Sequence, residues 1–353
     1  MRLGCSVRTT IFGESHGPAV GALLEGLPAG TEVDEQMLIE DLERRRPGNS
    51  IASLRKESDH CEILSGVFRG KATGGPILLL IRNLDARPSD YEFLPDMPRP
   101  GHADLPAQVN SKGAADPRGG GANSARLTAG IVASASLCKA LLYHQKISII
   151  AHVGAVGNIS TDARPGLLPD DDACRRVRCS DVQKASQMLE LIIATKKDGD
   201  SIGSRVDIVI DGLPLGFGAP WFEGLEPVLA HALMSIPGAR AVQFGDGVTV
   251  GEARGSEHNS PWYLGEDGPS TDGDGALGGM ATGAPLRISL TMKPPSSIVK
   301  EQQTLHLPSG KQRSLVVTGR HDPVLGPRAV AVAEAMCILV ISDMLHLGGD
   351  EDE

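Results

Sequence analysis

An α+β fold, with helices layered on antiparallel sheets, is predicted by three features of this 353-residue chain. Several segments alternate apolar and polar residues, the pattern of strands with one buried face. Two long stretches rich in small residues read as helices that pack closely. Glycine and proline punctuate short apolar elements without forming a linker. A doubly wound parallel sheet would instead show strands apolar on both faces. Residues 1–347 read as one domain and the acidic residues 348–353 as a disordered tail.

In chain order, residues 18–24 read as a strand. Residues 34–46 read as an amphipathic helix, with Leu38 and Leu42 on one face. Arg44, Arg45 and Arg46 suit the negative end of its dipole. Residues 77–81 form a short, wholly apolar strand. An Ala- and Ser-rich helix is expected over 124–144. Ser180 and Gln183 have capping-box spacing and open a helix to about Lys197. Val206, Ile208 and Ile210 alternate with Arg205, Asp207 and Asp211. Leu286, Ile288, Leu290 and Met292 alternate with Arg287, Ser289, Thr291 and Lys293, so a polar face ends at Lys293. A last helix starts near Pro327, a favoured first-turn residue, and runs to about Leu345.

Composition excludes some functions. Aromatics are 3% of residues and scattered, which suits no base-stacking surface. A net charge of −10 opposes binding to nucleic acid or anionic membrane. No apolar run approaches bilayer-spanning length, and residues 1–5 do not resemble a signal peptide. The six cysteines are spread over the chain without a C-x-x-C pair. They read as free, mostly buried thiols in a reducing cytoplasm.

Five segments concentrate unusual residues: 12–17 with His16, 99–104 with Arg99 and His102, 118–126 with a triple glycine, 293–297 with Lys293, and 319–323 with Arg320 and Asp322. In 118–126 the glycines feed a helix start between arginines. That is either an anion site of N–H groups and guanidinium or a flexible turn with solvated arginines. His16 and His102, each beside glycine, are candidate acids or bases, or hydrogen-bonding loop residues. They lack metal-ligand spacing, so no metal is proposed. His60, His144 and His231 read as structural or surface residues. Glu14-Ser15-His16 between glycines resembles a nucleophile elbow, but a strand follows where the elbow needs a helix, which excludes a serine hydrolase. Arg320 and Asp322 serve a phosphate and a proton, or simply pair across a loop. Lys293-Pro294-Pro295-Ser296-Ser297 holds an anion, or is a rigid strand end. Several cations and two histidines in rigid loops of an acidic protein point to a pocket for a small phosphorylated anion. These spacings alone reveal neither a cofactor nor a reaction.

In this order the five segments closely resemble the chorismate synthase family. The resemblance runs from Thr9 to about Leu345 and includes residues 42–48 (LERRRPG), 63–68 (ILSGVF), 199–203 (GDSIG) and 230–236 (AHALMSI). It implies a layered β-α-β sandwich with helices packed between antiparallel sheets, in a homotetramer. It implies anti-1,4-elimination of phosphate and the C6 proton from 5-enolpyruvylshikimate 3-phosphate, giving chorismate. The family needs reduced FMN without net redox change. The flavin is held to donate charge transiently and to help remove the proton.

Position by position, the resemblance implies that His16 protonates reduced flavin, that His102 donates a proton at the leaving phosphate, and that Asp322 assists at flavin N5. Ser15, Arg45, Arg99, Arg126 and Arg328 hold the substrate. Asn123, Ser124, Gly238, Gly278, Lys293, Pro294, Pro295, Ser296, Ser297 and Arg320 contact FMN. Three places depart from the common pattern, at Ala122, at Pro237 and around Asp272. They motivate a second reading, a catalytically impaired member that still binds flavin or an anion. Ile51 stands where some members carry an arginine linked to pyridine nucleotide. No dinucleotide loop is recognisable, which opposes a third reading as an NADPH-dependent flavin reductase. The expectation is a cytoplasmic, monofunctional lyase supplied with reduced FMN by an external flavin reductase.

Overall fold

The computed structural model describes residues 1–46, 59–84, 88–265, 268–319 and 321–347. The expectations for Ile51 and for the acidic tail lie outside them. Two five-stranded antiparallel sheets flank a layer of helices. The first runs Arg2–Leu3, Arg8–Gly13, Ala19–Glu25, Ile77–Arg82, Cys61–Ile63. The second runs Ala239–Phe244, Leu286–Met292, Ser204–Asp211, Ser148–Val156, Ile159–Ser160. The helix Thr128–His144 lies on the first sheet, Gly326–Leu347 lies on the second, and the two helices pack on each other. This is the layered α+β architecture that the alternating strands and small-residue helices predict.

Alternation sets the register of the second sheet. Val206 faces Leu290, Ile208 faces Ile288 and Ile210 faces Leu286, and all six are buried. A one-residue slip would turn each of them to the opposite face. In Ile77–Arg82 burial also alternates. Ile77, Leu79 and Ile81 are fully buried, whereas Leu78 and Leu80 are half-buried despite their apolar character.

Small residues let the central helix approach the sheet backbone. A Cβ placed on Gly130 would lie 2.5 Å from the Gly21 carbonyl oxygen. The helix is buried on nearly every side, from Thr128 to Cys138, as its composition implies. Its start is more gradual than the sequence suggests. Ser124 caps a tight turn over Ala125–Leu127, and the α-helix begins at Thr128.

Two expectations are corrected. The helix Val182–Lys197 is capped by Asp181, whose carboxylate accepts from the Lys184 N–H at 3.0 Å, and not by Ser180. The Ser180 hydroxyl is 2.7 Å from His152 Nδ1 instead. Two helices, Ala125–His144 and Gly326–His346, are in fact long and apolar enough to cross a bilayer. Most of each is buried in the fold, so their apolar character serves the core. Helix Glu35–Arg45 is as predicted. Asp34 caps it, Leu38 and Leu42 are buried, and Arg44 and Arg45 lie in its last turn. All six cysteines are free; Cys138, Cys174, Cys179 and Cys337 are buried and Cys5 is exposed. Burial pushes the Cys138 thiol up to about 12, well away from a reactive thiolate.

Candidate active site

Where the ends of both core helices meet the loops, a cavity of about 870 Å³ opens. Ile131, Leu325, Met336 and Leu339 give it an apolar wall. Its polar wall comes from segments far apart in sequence. Ser15 belongs to the first of the five segments. Arg99 and His102 belong to the second, and Asn123 and Ser124 to the third. Further contributors are Gly238, Lys293 with Pro295, Ser296 and Ser297, and Asp322 with Arg328.

The triple glycine has a clear physical purpose. Gly119, Gly120 and Gly121 have φ of 60°, 92° and 52°, a region that favours glycine. A Cβ on Gly119 would lie 2.4 Å from His16 Cε1, and one on Gly120 would lie 3.2 Å from His102 Cε1. The loop thus passes directly against both histidines. His16 is buried behind it, edge-on to Tyr91 at 5.1 Å between ring centroids, and is not part of the cavity wall. The expected anion site between flanking arginines is not built here. The Arg118 guanidinium lies on the Asp116 carboxylate at 2.8 Å, and Arg126 turns into the core.

Arg126 and Arg45 meet at Asp59. Each guanidinium donates to a different oxygen of that carboxylate, and all three side chains are at most 3% exposed. Arg126 Nε also donates to Asn83 Oδ1 at 2.9 Å. Burial lowers the Arg45 guanidinium to about 10, against the pull of Asp59. Burial would raise the Asp59 carboxyl, but Arg45 and Arg126 together hold it below its ordinary value. Neither arginine lines the cavity.

Arg99 forms a planar fork on Asp104. Nε donates to Oδ2 at 2.8 Å and Nη2 to Oδ1 at 2.7 Å. Its Nη1 donates to the Ser297 hydroxyl at 3.0 Å, and its guanidinium lies over the Tyr91 ring at 5.5 Å. His102 Nδ1 is 2.6 Å from Asp104 Oδ1. The Lys293 ammonium donates to the Gly101 carbonyl and, at 2.8 Å, to the Ser296 hydroxyl. That clamp fastens the end of the second sheet to the His102 turn. Desolvation, then the nearby Arg240 charge, lowers the Lys293 ammonium. Arg328 Nη1 donates to Asp322 Oδ2 at 2.5 Å. Burial lowers the His321 imidazole beside them and favours its neutral form.

Pro294 and Gly278 do not reach the cavity. Gly278 sits in the turn between strands Ala276–Leu277 and Met280–Ala281. Arg320 lies outside the described residues. Ala122 and Pro237, two positions that depart from the family pattern, line the cavity, whereas Asp272 accepts from the Tyr263 hydroxyl at 2.7 Å. Sequence reasoning missed Asp104, Tyr91, Arg240 and the cavity-lining His231. Asp104 carried a signal, its place two residues after His102, and His231 carried another, its place in segment 230–236.

The chain matches the family model described as chorismate synthase over residues 7–346. It is 43% identical to a chorismate synthase of Aeropyrum pernix, across 98% of this chain and 92% of that one. It is 42% identical to one of Methanosarcina mazei, across 98% and 96%. A solved structure titled as a crystal structure of chorismate synthase superposes with a TM-score of 0.74 at 26% identity, covering 98% of this chain and 94% of the other.

Proposed function

Since the chain belongs to the chorismate synthase family, we propose that its cavity eliminates phosphate from 5-enolpyruvylshikimate 3-phosphate to give chorismate, the last step of the shikimate pathway. The enzyme is a lyase. The observation that carries the site reading is the meeting, in one cavity, of the Arg99–Asp104–His102 cluster with the clamped Lys293 and the Arg328–Asp322 pair. As the C–O bond to phosphate breaks, charge develops on the leaving oxygen. Preorganised cations at Arg99 and Arg328 stabilise that charge, and His102 supplies a proton to it.

The family's reduced FMN suits the residues present. An apolar wall of Ile131, Leu325, Met336 and Leu339 faces hydroxyls and an ammonium, the pairing a flat ring with a polar edge and a phosphate requires. We assign its contacts to Asn123, Ser124, Gly238, Lys293, Pro295, Ser296 and Ser297. When bound, the reduced flavin supplies transient electron density to the elimination. Ser15, Arg99 and Arg328 hold substrate at the cavity wall. Arg45 and Arg126 support it from behind through Asp59. His16 backs the glycine loop, and Asp322 holds a proton-accepting carboxylate beside the ring site. Residues 1–347 act as one unit, assembled as a homotetramer in the cytoplasm, with reduced FMN coming from a separate reductase.

Lys293→Ala removes the ammonium and the clamp on Gly101. Reduced FMN affinity, titrated anaerobically, should fall about tenfold or more, as for loss of a charged hydrogen bond. An unchanged titration would remove Lys293 from the flavin site.

A further inference from the structure

We propose that Asp104 is a positioning residue that fixes the protonation and orientation of His102. The inference rests on reading His102 as the proton donor to the leaving phosphate. Asp104 Oδ1 lies 2.6 Å from His102 Nδ1, and the carboxylate side chain is only 4% exposed. Arg99 takes the same carboxylate from the other side with two donors and adds a third bond from its backbone N–H to Oδ2 at 3.0 Å. Burial opposes ionisation of Asp104, but the bonds from Arg99 and His102 hold it far below the usual carboxylate range. An ionised carboxylate only accepts hydrogen bonds. Nδ1 is therefore the N–H that points at Asp104, although Arg99 Nη2 also lies 3.1 Å from it. That leaves Nε2 as the nitrogen that releases and regains the working proton.

The glycine loop completes the arrangement. A Cβ on Gly120 would lie 3.4 Å from His102 Nε2, so the bare glycine keeps that nitrogen uncrowded. Lys293 approaches the same turn from the end of the second sheet through the Gly101 carbonyl. In the elimination the C6–H bond breaks, its electron pair joins the new ring diene and the C6 proton passes to the base at the ring site, while the C–O electron pair leaves on the phosphate oxygen. The Nε2 proton moves to that oxygen, and the imidazole is left neutral with Nδ1–H still on Asp104.

Three measurements on the full chain test this. In the unmodified protein, 15N spectra of labelled histidine should give His102 in the Nδ1–H tautomer when neutral; an Nε2–H tautomer overturns the inference. Asp104→Asn should lower kcat about 10- to 100-fold, as for loss of an orienting outer partner. In a His102→Ala background, which itself should cost about 100-fold or more, Asp104→Asn should lower kcat no further, because its effect passes through His102. Any residual change then falls on KM, through the loosened Arg99. If the two kcat losses multiply instead, Asp104 acts independently and the inference fails while the reading of His102 stands. If His102→Ala turns over normally, the reading of His102 fails and takes the inference with it.

Discussion

At Asp59 one carboxylate meets two guanidiniums inside the protein, and the balance of charge there decides local stability. Arg45 and Arg126 are both almost fully buried, so removing Asp59 takes a shared, buried carboxylate from both. Breaking a buried pair costs about 3–5 kcal/mol. Asp59→Ala should therefore lower the unfolding free energy by roughly that amount in chemical denaturation, and an unmoved midpoint would contradict the account. The pH dependence follows from the sign of the shift. The folded carboxyl lies below its ordinary value, so its contribution is full above the unfolded pKa of about 3.9 and is lost as pH falls through the folded value. Sequence reasoning saw two arginines and read them as ligands for an external anion. The internal anion was not legible, because Asp59 is 14 residues from one partner and 67 from the other. The histidines were legible as candidates, since each sits beside glycine. The reason for those glycines, contact with the rings, needed coordinates.

Elements were read most reliably where periodicity is strong. Strands Ser204–Asp211 and Leu286–Met292 appear where alternation predicts them, and both core helices appear where small residues cluster. Ends were read less well. Ser180 and Asp181 are both good caps, and the choice fell to Asp181 because the Ser180 hydroxyl is engaged by His152. The membrane-length helices were missed because polar residues interrupt each run, Ser134 and Ser136 in one and Arg328, Glu334 and Asp343 in the other; in the fold most of each helix is buried. The contact between Gly130 and Gly21 permits a direct test. Gly130→Leu gains about 1 kcal/mol of helix propensity. It also forces a side chain against the Gly21 backbone, an overpacking cost of about 3 kcal/mol. The clash should win, and thermal unfolding should occur at a lower temperature. A variant as stable as the parent would show that the helix–sheet spacing is not set by this contact.

For the molecule as a whole, the layered core places five separated loop segments at one end, where none could form a site alone. Ser15, His102, Ser124, Lys293 and Asp322 span over 300 residues of sequence and share one cavity. An acidic protein with a net charge of −10 thereby presents gathered cations to an anionic substrate. The residue types and their order were legible in the sequence and carried the family resemblance. Which of them face the cavity was not, because that depends on how loops pack rather than on spacing. Ala122 and Pro237, where the chain departs from the family pattern, stand in the cavity wall itself. The central claim is that this cavity, so altered, still performs the elimination. The most direct measurement is anaerobic chorismate formation from purified protein, 5-enolpyruvylshikimate 3-phosphate and chemically reduced FMN, with NADPH left out. The account predicts chorismate and phosphate in equal amounts. Folded protein that binds reduced FMN yet forms no chorismate would contradict it.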